Sequence, residues 1–188
     1  MTETKPKSVY ALAASAGLPM GALLSGAAAC FLFSLRLPAV SAGVFPLLCC
    51  TLVLLYLRMR RLAAVDEAYR RVAPLWLYGI YTFVFGSLIA ALFTAVVMIF
   101  VEPGFIGRYL AESVAQVEAS PMAAEFAEHT ALMHRALDAG ILPSESQFVS
   151  TMGWFTAFGG SMLSLIMAAL VSGRYTAQRG ERGFDRNI

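Results

Sequence analysis

Leu75–Val101 reads LWLYGIYTFVFGSLIAALFTAVVMIFV, 27 residues without one charged side chain. A run of about 20 apolar residues crosses the hydrocarbon core of a bilayer. Backbone N–H and C=O groups find no water there, so such a segment must bond to itself as a helix. Pro74 before it suits a helix's first turn, and Pro103-Gly104 after it marks the stop. Trp76, Tyr78 and Tyr81 near its start are residues of an interfacial aromatic belt.

Three more apolar stretches flank this one, giving expected spans of about 9–35, 39–57, 74–101 and 147–172. Hydrophobic residues make up 59% of the chain and charged residues only 14%, against about 25% charged in soluble domains. The expected fold is all-α: a single domain, 1–188, forming an integral membrane bundle of four transmembrane helices. The first run is about twice as long as a secretory signal's apolar region, which favours a membrane helix. Ala27-Ala28-Ala29-Cys30 loosely matches a lipoprotein cleavage site, but the apolar run continues past it to Leu35.

Small residues recur at four-residue steps on three spans. They are Ala13, Gly17, Gly21, Ser25 and Ala29; Thr82, Gly86, Ala90 and Thr94; and Gly160, Ser164, Ala168 and Ser172. Each set lines one side of a helix and allows close backbone approach, within the chain or in a homo-oligomer. Pro19 and Pro46, placed mid-span, predict kinks. The short Arg36-Leu37-Pro38 connection predicts that the first two spans run antiparallel.

Between spans three and four, residues 105–143 differ in kind. Ile106, Tyr109, Leu110, Val114 and Val117 keep helical spacing among charged residues. Ser120-Pro121 reads as an N-cap followed by proline, opening a second helix with the stripe Met122, Phe126, Met133 and Leu137. Gly140 is the expected stop, and Ser144 with Gln147 the capping box of the fourth span. One or two amphipathic helices are therefore expected on the extracytoplasmic side, resting on lipid or capping the bundle. A further short interfacial helix is expected around Leu62, Val65 and Tyr69. Gly173 is the expected end of the fourth span, with Arg174–Ile188 a loose polar tail.

Even span number puts both termini on one face. That face would hold Lys5, Lys7, Arg58, Arg60, Arg61, Arg70, Arg71, Arg174, Arg179, Arg182 and Arg186; the other holds only Arg36, Arg108 and Arg135. Basic residues concentrate in cytoplasmic loops, so both termini are expected in the cytoplasm. The arginines of Arg58–Arg71 serve as topology determinants or as a patch for anionic lipid or a partner.

No catalytic, cofactor-binding or metal-ligating residue is singled out. His129 and His134 lie five apart and diverge on a helix; Glu125 with His129, and His134 with Asp138, have the four-residue spacing of paired surface residues. Cys30, Cys49 and Cys50 sit in apolar runs without redox or zinc spacing. Gly159-Gly160-Ser161 is buried in an apolar helix with no base nearby. The spans hold no ionisable residue, which argues against a proton-coupled pump. A net charge of +2 gives no ground for nucleic-acid binding.

The order of features, with Tyr69-Arg70-Arg71, Val101-Glu102-Pro103-Gly104-Phe105 and Ser164-Leu165-Ile166 to Arg174, resembles the bacterial membrane family called domain of unknown function 4199. Val72-Ala73-Pro74 stands where members often carry a glycine pair. The resemblance implies the four-span architecture and a multi-pass place in a bacterial inner membrane, and it brings no catalytic residue or cofactor. The expected role is non-enzymatic: a structural, assembly or interaction component whose partners are the bilayer and another membrane protein or a second copy. The alternative is a small oligomeric channel or carrier for a neutral or small solute, motivated by the kinked helices.

Overall fold

A computed structural model describes residues 8–121 and 123–184, with side chains described as far as Thr176. The polar start with Lys5 and Lys7, Met122 and Arg186 lie outside the described residues, as do the side chains of Arg179 and Arg182. Among the described residues six α-helices follow one another: α1 (Val9–Leu32), α2 (Val44–Val65), α3 (Val72–Phe100), α4 (Phe105–Glu118), α5 (Ala127–Asp138) and α6 (Glu145–Phe184). Among the described residues there is no strand. Four helical stretches are long and apolar enough to cross a membrane: Val9–Leu32, Pro38–Val65, Val72–Phe100 and Glu145–Thr176.

Helix α3 lies at the centre, held between α1 and α6. Burying apolar area gains little when the solvent is lipid, so close packing of small residues has to hold these helices together. A Cβ on Gly17 would stand 2.6 Å from Phe85 Cβ, and one on Gly21 would stand 2.7 Å from Ile89 Cβ. Gly86 returns the contact against Met20. On the other side of α3, a Cβ on Gly79 would collide with Ser164 Cβ, and one on Gly160 with the Phe83 ring. All three small-residue stripes are thus used inside the chain.

Helix α2 is packed unevenly. Leu55, Met59 and Ala63 join Met20, Leu24, Phe83, Ala168 and Val171 in the larger apolar cluster. The smaller cluster, Leu32, Val97, Met98, Phe105 and Ile106 at the other end of the bundle, contains no α2 residue. Phe45 and Leu48, in the first part of α2, are exposed.

Several expected boundaries are corrected. The second span does not run as one helix over 39–57. A 3₁₀ turn occupies Pro38–Gly43, and α2 then continues through Arg58–Arg61 to Val65. Pro46 is therefore in the first turn of α2, where its missing N–H costs no helical bond, rather than at a mid-span kink. No separate interfacial helix forms around Leu62. Instead Asp66 accepts a bond from Ala68 N at 2.9 Å and opens a 3₁₀ turn, Glu67–Arg70. Helix α5 begins at Ala127, not at Pro121, because the Ser120 hydroxyl donates back to Val117 O at 2.7 Å and closes α4. The fourth span does not stop at Ser172: Gly173 stays helical, and α6 runs on to Phe184.

Other signals are met. Gly104 and Gly140 adopt φ of +70° and +63°, the left-handed conformation that favours glycine, at the α3–α4 turn and after α5. Ser144 N donates to Gln147 Oε1 at 3.0 Å and Gln147 N donates to Ser144 Oγ at 3.3 Å, closing the capping box.

Candidate functional site

Ionisable side chains meet at one place where the chain leaves the bundle. Glu102 follows α3, and the Pro103-Gly104 turn folds α4 back over it, leaving its side chain 2% exposed. A lone buried carboxylate would be costly, so its charge needs partners. Arg36 Nε, from the α1–α2 connection, stands 2.6 Å from Oε1, and Arg108 Nη2, from α4, donates to Oε2 at 2.6 Å. Oε1 has the Arg36 charge beside it but no aligned hydrogen bond. Arg108 also donates to Pro103 O, and Glu145 Oε1 accepts from Gly104 N at 3.1 Å. This clasp joins the α1–α2 and α3–α4 connections and the start of α6. Both arginines are about half exposed, with their charged ends reaching past the apolar cluster beneath.

Below the clasp, a cavity of about 240 Å³ lies among the spans. Leu32 of α1, Leu48 of α2, Ala91 of α3 and Met152 of α6 are among its mostly apolar walls. Its hydroxyls are already used within their own helices: Ser87 donates to Val84 O, Thr94 to Ala90 O and Thr156 to Met152 O. The cavity exists because the first part of α2 does not close against α6.

The opposite end of the bundle carries a different pocket. It is smaller, about 140 Å³, and is lined by Tyr56, Arg60, Val171, Arg174 and Tyr175. The Arg174 guanidinium lies 5.7 Å from the Tyr56 ring centroid, and Arg70 lies 5.5 Å from that of Tyr175. Ser172 Oγ donates to Arg70 O at 2.8 Å, tying the Asp66–Arg71 connection to α6. Tyr69 is buried beside this tie; burial, and next the Asp66 charge, push its phenol above the ordinary range.

The histidines are not brought together. His134 Nε2 lies 2.9 Å from Glu118 Oε1 on α4, rather than pairing with Asp138, and His129 is exposed. Among the described residues, no three metal-ligating side chains gather. Cys30, Cys49 and Cys50 are free thiols. Sequence reasoning placed Arg36 and Glu102 at the span ends but missed their meeting. The available signal was that Arg36 and Arg108 are two of only three basic residues on the face opposite the Arg58–Arg71 stretch.

No curated protein and no solved structure matches this chain. A family model does match, over residues 16–172, and takes in the greater part of all four spans and the Glu102 clasp, leaving out the start of α1 and Arg174 and Tyr175 of α6. The chain belongs to the family described as Protein of unknown function (DUF4199).

Proposed function

We propose that this chain is a non-enzymatic multi-pass component of a bacterial inner membrane, with both termini in the cytoplasm, that assembles with a second membrane protein through its α4–α5 hairpin. The observation carrying this reading is the uncovered apolar surface on and beside α5. Leu132 is 54% exposed, and Phe126, Met133 and Ile141 are also exposed, although none lies in a span. The Glu118–His134 pair meanwhile holds α5 to α4. An apolar stripe outside the spans needs a cover, and a partner's surface supplies one. Thr82 donates to Tyr78 O and Ser164 to Ser161 O, so these buried hydroxyls of the spans are occupied in packing, and the unpaired Ser25 hydroxyl has no base beside it. A photo-crosslinking residue at Leu132 tests the reading in cells. A discrete protein adduct at Leu132, absent when the probe is at the exposed Asp138 on another face of α5, is expected; adducts to lipid alone would overturn it.

The 240 Å³ cavity favours a second reading, a carrier for a small neutral solute. In that case solute flux in proteoliposomes falls when Ala91→Phe fills the cavity.

A further inference from the structure

We infer that the pocket formed by Tyr56, Arg60, Val171, Arg174 and Tyr175 binds the phosphate group of an anionic phospholipid in the leaflet at the arginine-rich face. This inference is independent of the partner proposed for α5, which lies at the other end of the bundle.

Four observations converge on it. The pocket stands at the boundary of the spans, since α2 carries its arginines from Arg58 onward and α6 meets its first at Arg174. Its walls are two guanidinium-bearing side chains, two phenol rings and one valine, so charge and apolar surface are offered together, as a lipid headgroup joined to its chains requires. Arg174 is placed rather than free, its guanidinium supported by the Tyr56 ring, and the Tyr175 hydroxyl reaches the backbone carbonyl of Arg60 at 3.5 Å, linking the two helices.

The acids of the Asp66–Arg71 connection are engaged elsewhere. Glu67 pairs with Arg70, and Asp66 caps the backbone at Ala68. Among the described residues, Arg60 and Arg174 have no carboxylate within ion-pair distance. Two such forks, carried on different helices and lining one small cavity, suit the oxygens of a phosphodiester. A pocket of about 140 Å³ admits that group and its nearest atoms, while Val171 and Tyr56 meet the start of the acyl region. The topology function of the Arg58–Arg71 stretch requires only positive charge near the membrane. It does not require a tyrosine-supported pocket shared with α6.

The test uses the full-length protein in mixed detergent–lipid micelles. Native mass spectrometry compares retention of phosphatidylglycerol with that of phosphatidylcholine. Wild type is expected to keep one phosphatidylglycerol in preference to phosphatidylcholine. Arg60→Gln with Arg174→Gln is expected to weaken that binding roughly tenfold or more, as two charge-assisted contacts are lost. The control pair Arg61→Gln with Arg71→Gln removes the same charge outside the pocket and should weaken binding clearly less than the pocket pair does. If the glutamine pair fails to fold, Arg60→Lys with Arg174→Lys keeps the charge but not the fork, and should still bind more weakly than wild type. Equal retention of the two lipids by wild type would overturn the inference. So would an equal loss in the control pair, or displacement of the bound phosphatidylglycerol by millimolar inorganic phosphate, which would make the site one for a free anion.

Discussion

Arg36 and Glu102, distant in sequence and on different connections, form an ion pair at 2.6 Å at the end of the bundle, with Glu102 almost fully buried. Arg108 holds the other carboxylate oxygen. Glu102→Gln keeps the shape but leaves both arginines without a counter-charge. Exposed ion pairs contribute up to about 1 kcal/mol, and breaking a buried one costs about 3–5 kcal/mol. Here the acid is buried and both bases are half exposed, so a loss of about 2 kcal/mol is expected. Thermal unfolding in detergent measures it. An unchanged midpoint would show that the clasp does not hold the connections together.

Gly160 lies under the Phe83 ring, and the space for a side chain there is already filled by aromatic carbon. Gly160→Ala should separate α3 from α6 and destabilise the protein by about 1–3 kcal/mol, the usual cost of overpacking. Gly159, one residue earlier, has nothing within 4 Å of where its Cβ would be. Gly159→Ala should be neutral or slightly stabilising, since alanine is the better helix former. Equal effects from the two substitutions would remove the close α3–α6 contact as the basis of packing.

The contrast between those neighbouring glycines shows what could be read in advance. The small-residue stripes are visible because a four-residue step maps onto one side of a helix, and each stripe does face another helix. Pro46 was harder. A uniformly apolar run carries no mark of where α geometry begins, so the same proline fits a mid-span kink or a first turn; the 3₁₀ turn at Pro38–Gly43 decides it. At Ser120 the local pattern suits an N-cap, but a serine hydroxyl can equally bond backward, and here it does. Gly173 is a stop signal only when the chain turns, and α6 simply continues. The Glu102 clasp and the Tyr56–Arg174 pocket each join residues from separate helices, so no local spacing announces them.

Tyr69 supplies a pH dependence. Its folded-state pKa is raised, first by burial and then by Asp66, above the ordinary value of about 10. In the unfolded chain the phenol therefore ionises first. Its contribution to stability is complete below about pH 10 and is lost as pH rises through the folded-state pKa. Wild type should lose stability in that range more steeply than Tyr69→Phe, as read by denaturant unfolding at stepped pH. Parallel profiles would show that burial of this phenol has no energetic consequence.

The proposed orientation rests on the charge difference between the two faces. The face with the Arg58–Arg71 stretch and Arg174 is strongly basic, whereas the α4–α5 hairpin carries Glu112, Glu118, Glu125, Glu128 and Asp138. Basic segments stay on the cytoplasmic side because translocating them is disfavoured. Replacing Cys30, Cys49 and Cys50 by alanine gives a background in which single cysteines report position. Glu128→Cys should react with a membrane-impermeant maleimide in intact cells, and Arg61→Cys only after permeabilisation. The exposure of both positions means that packing within the protein does not shield either one. The reverse labelling pattern would invert the topology. It would also place the α5 apolar stripe in the cytoplasm, so that its partner would have to be sought there.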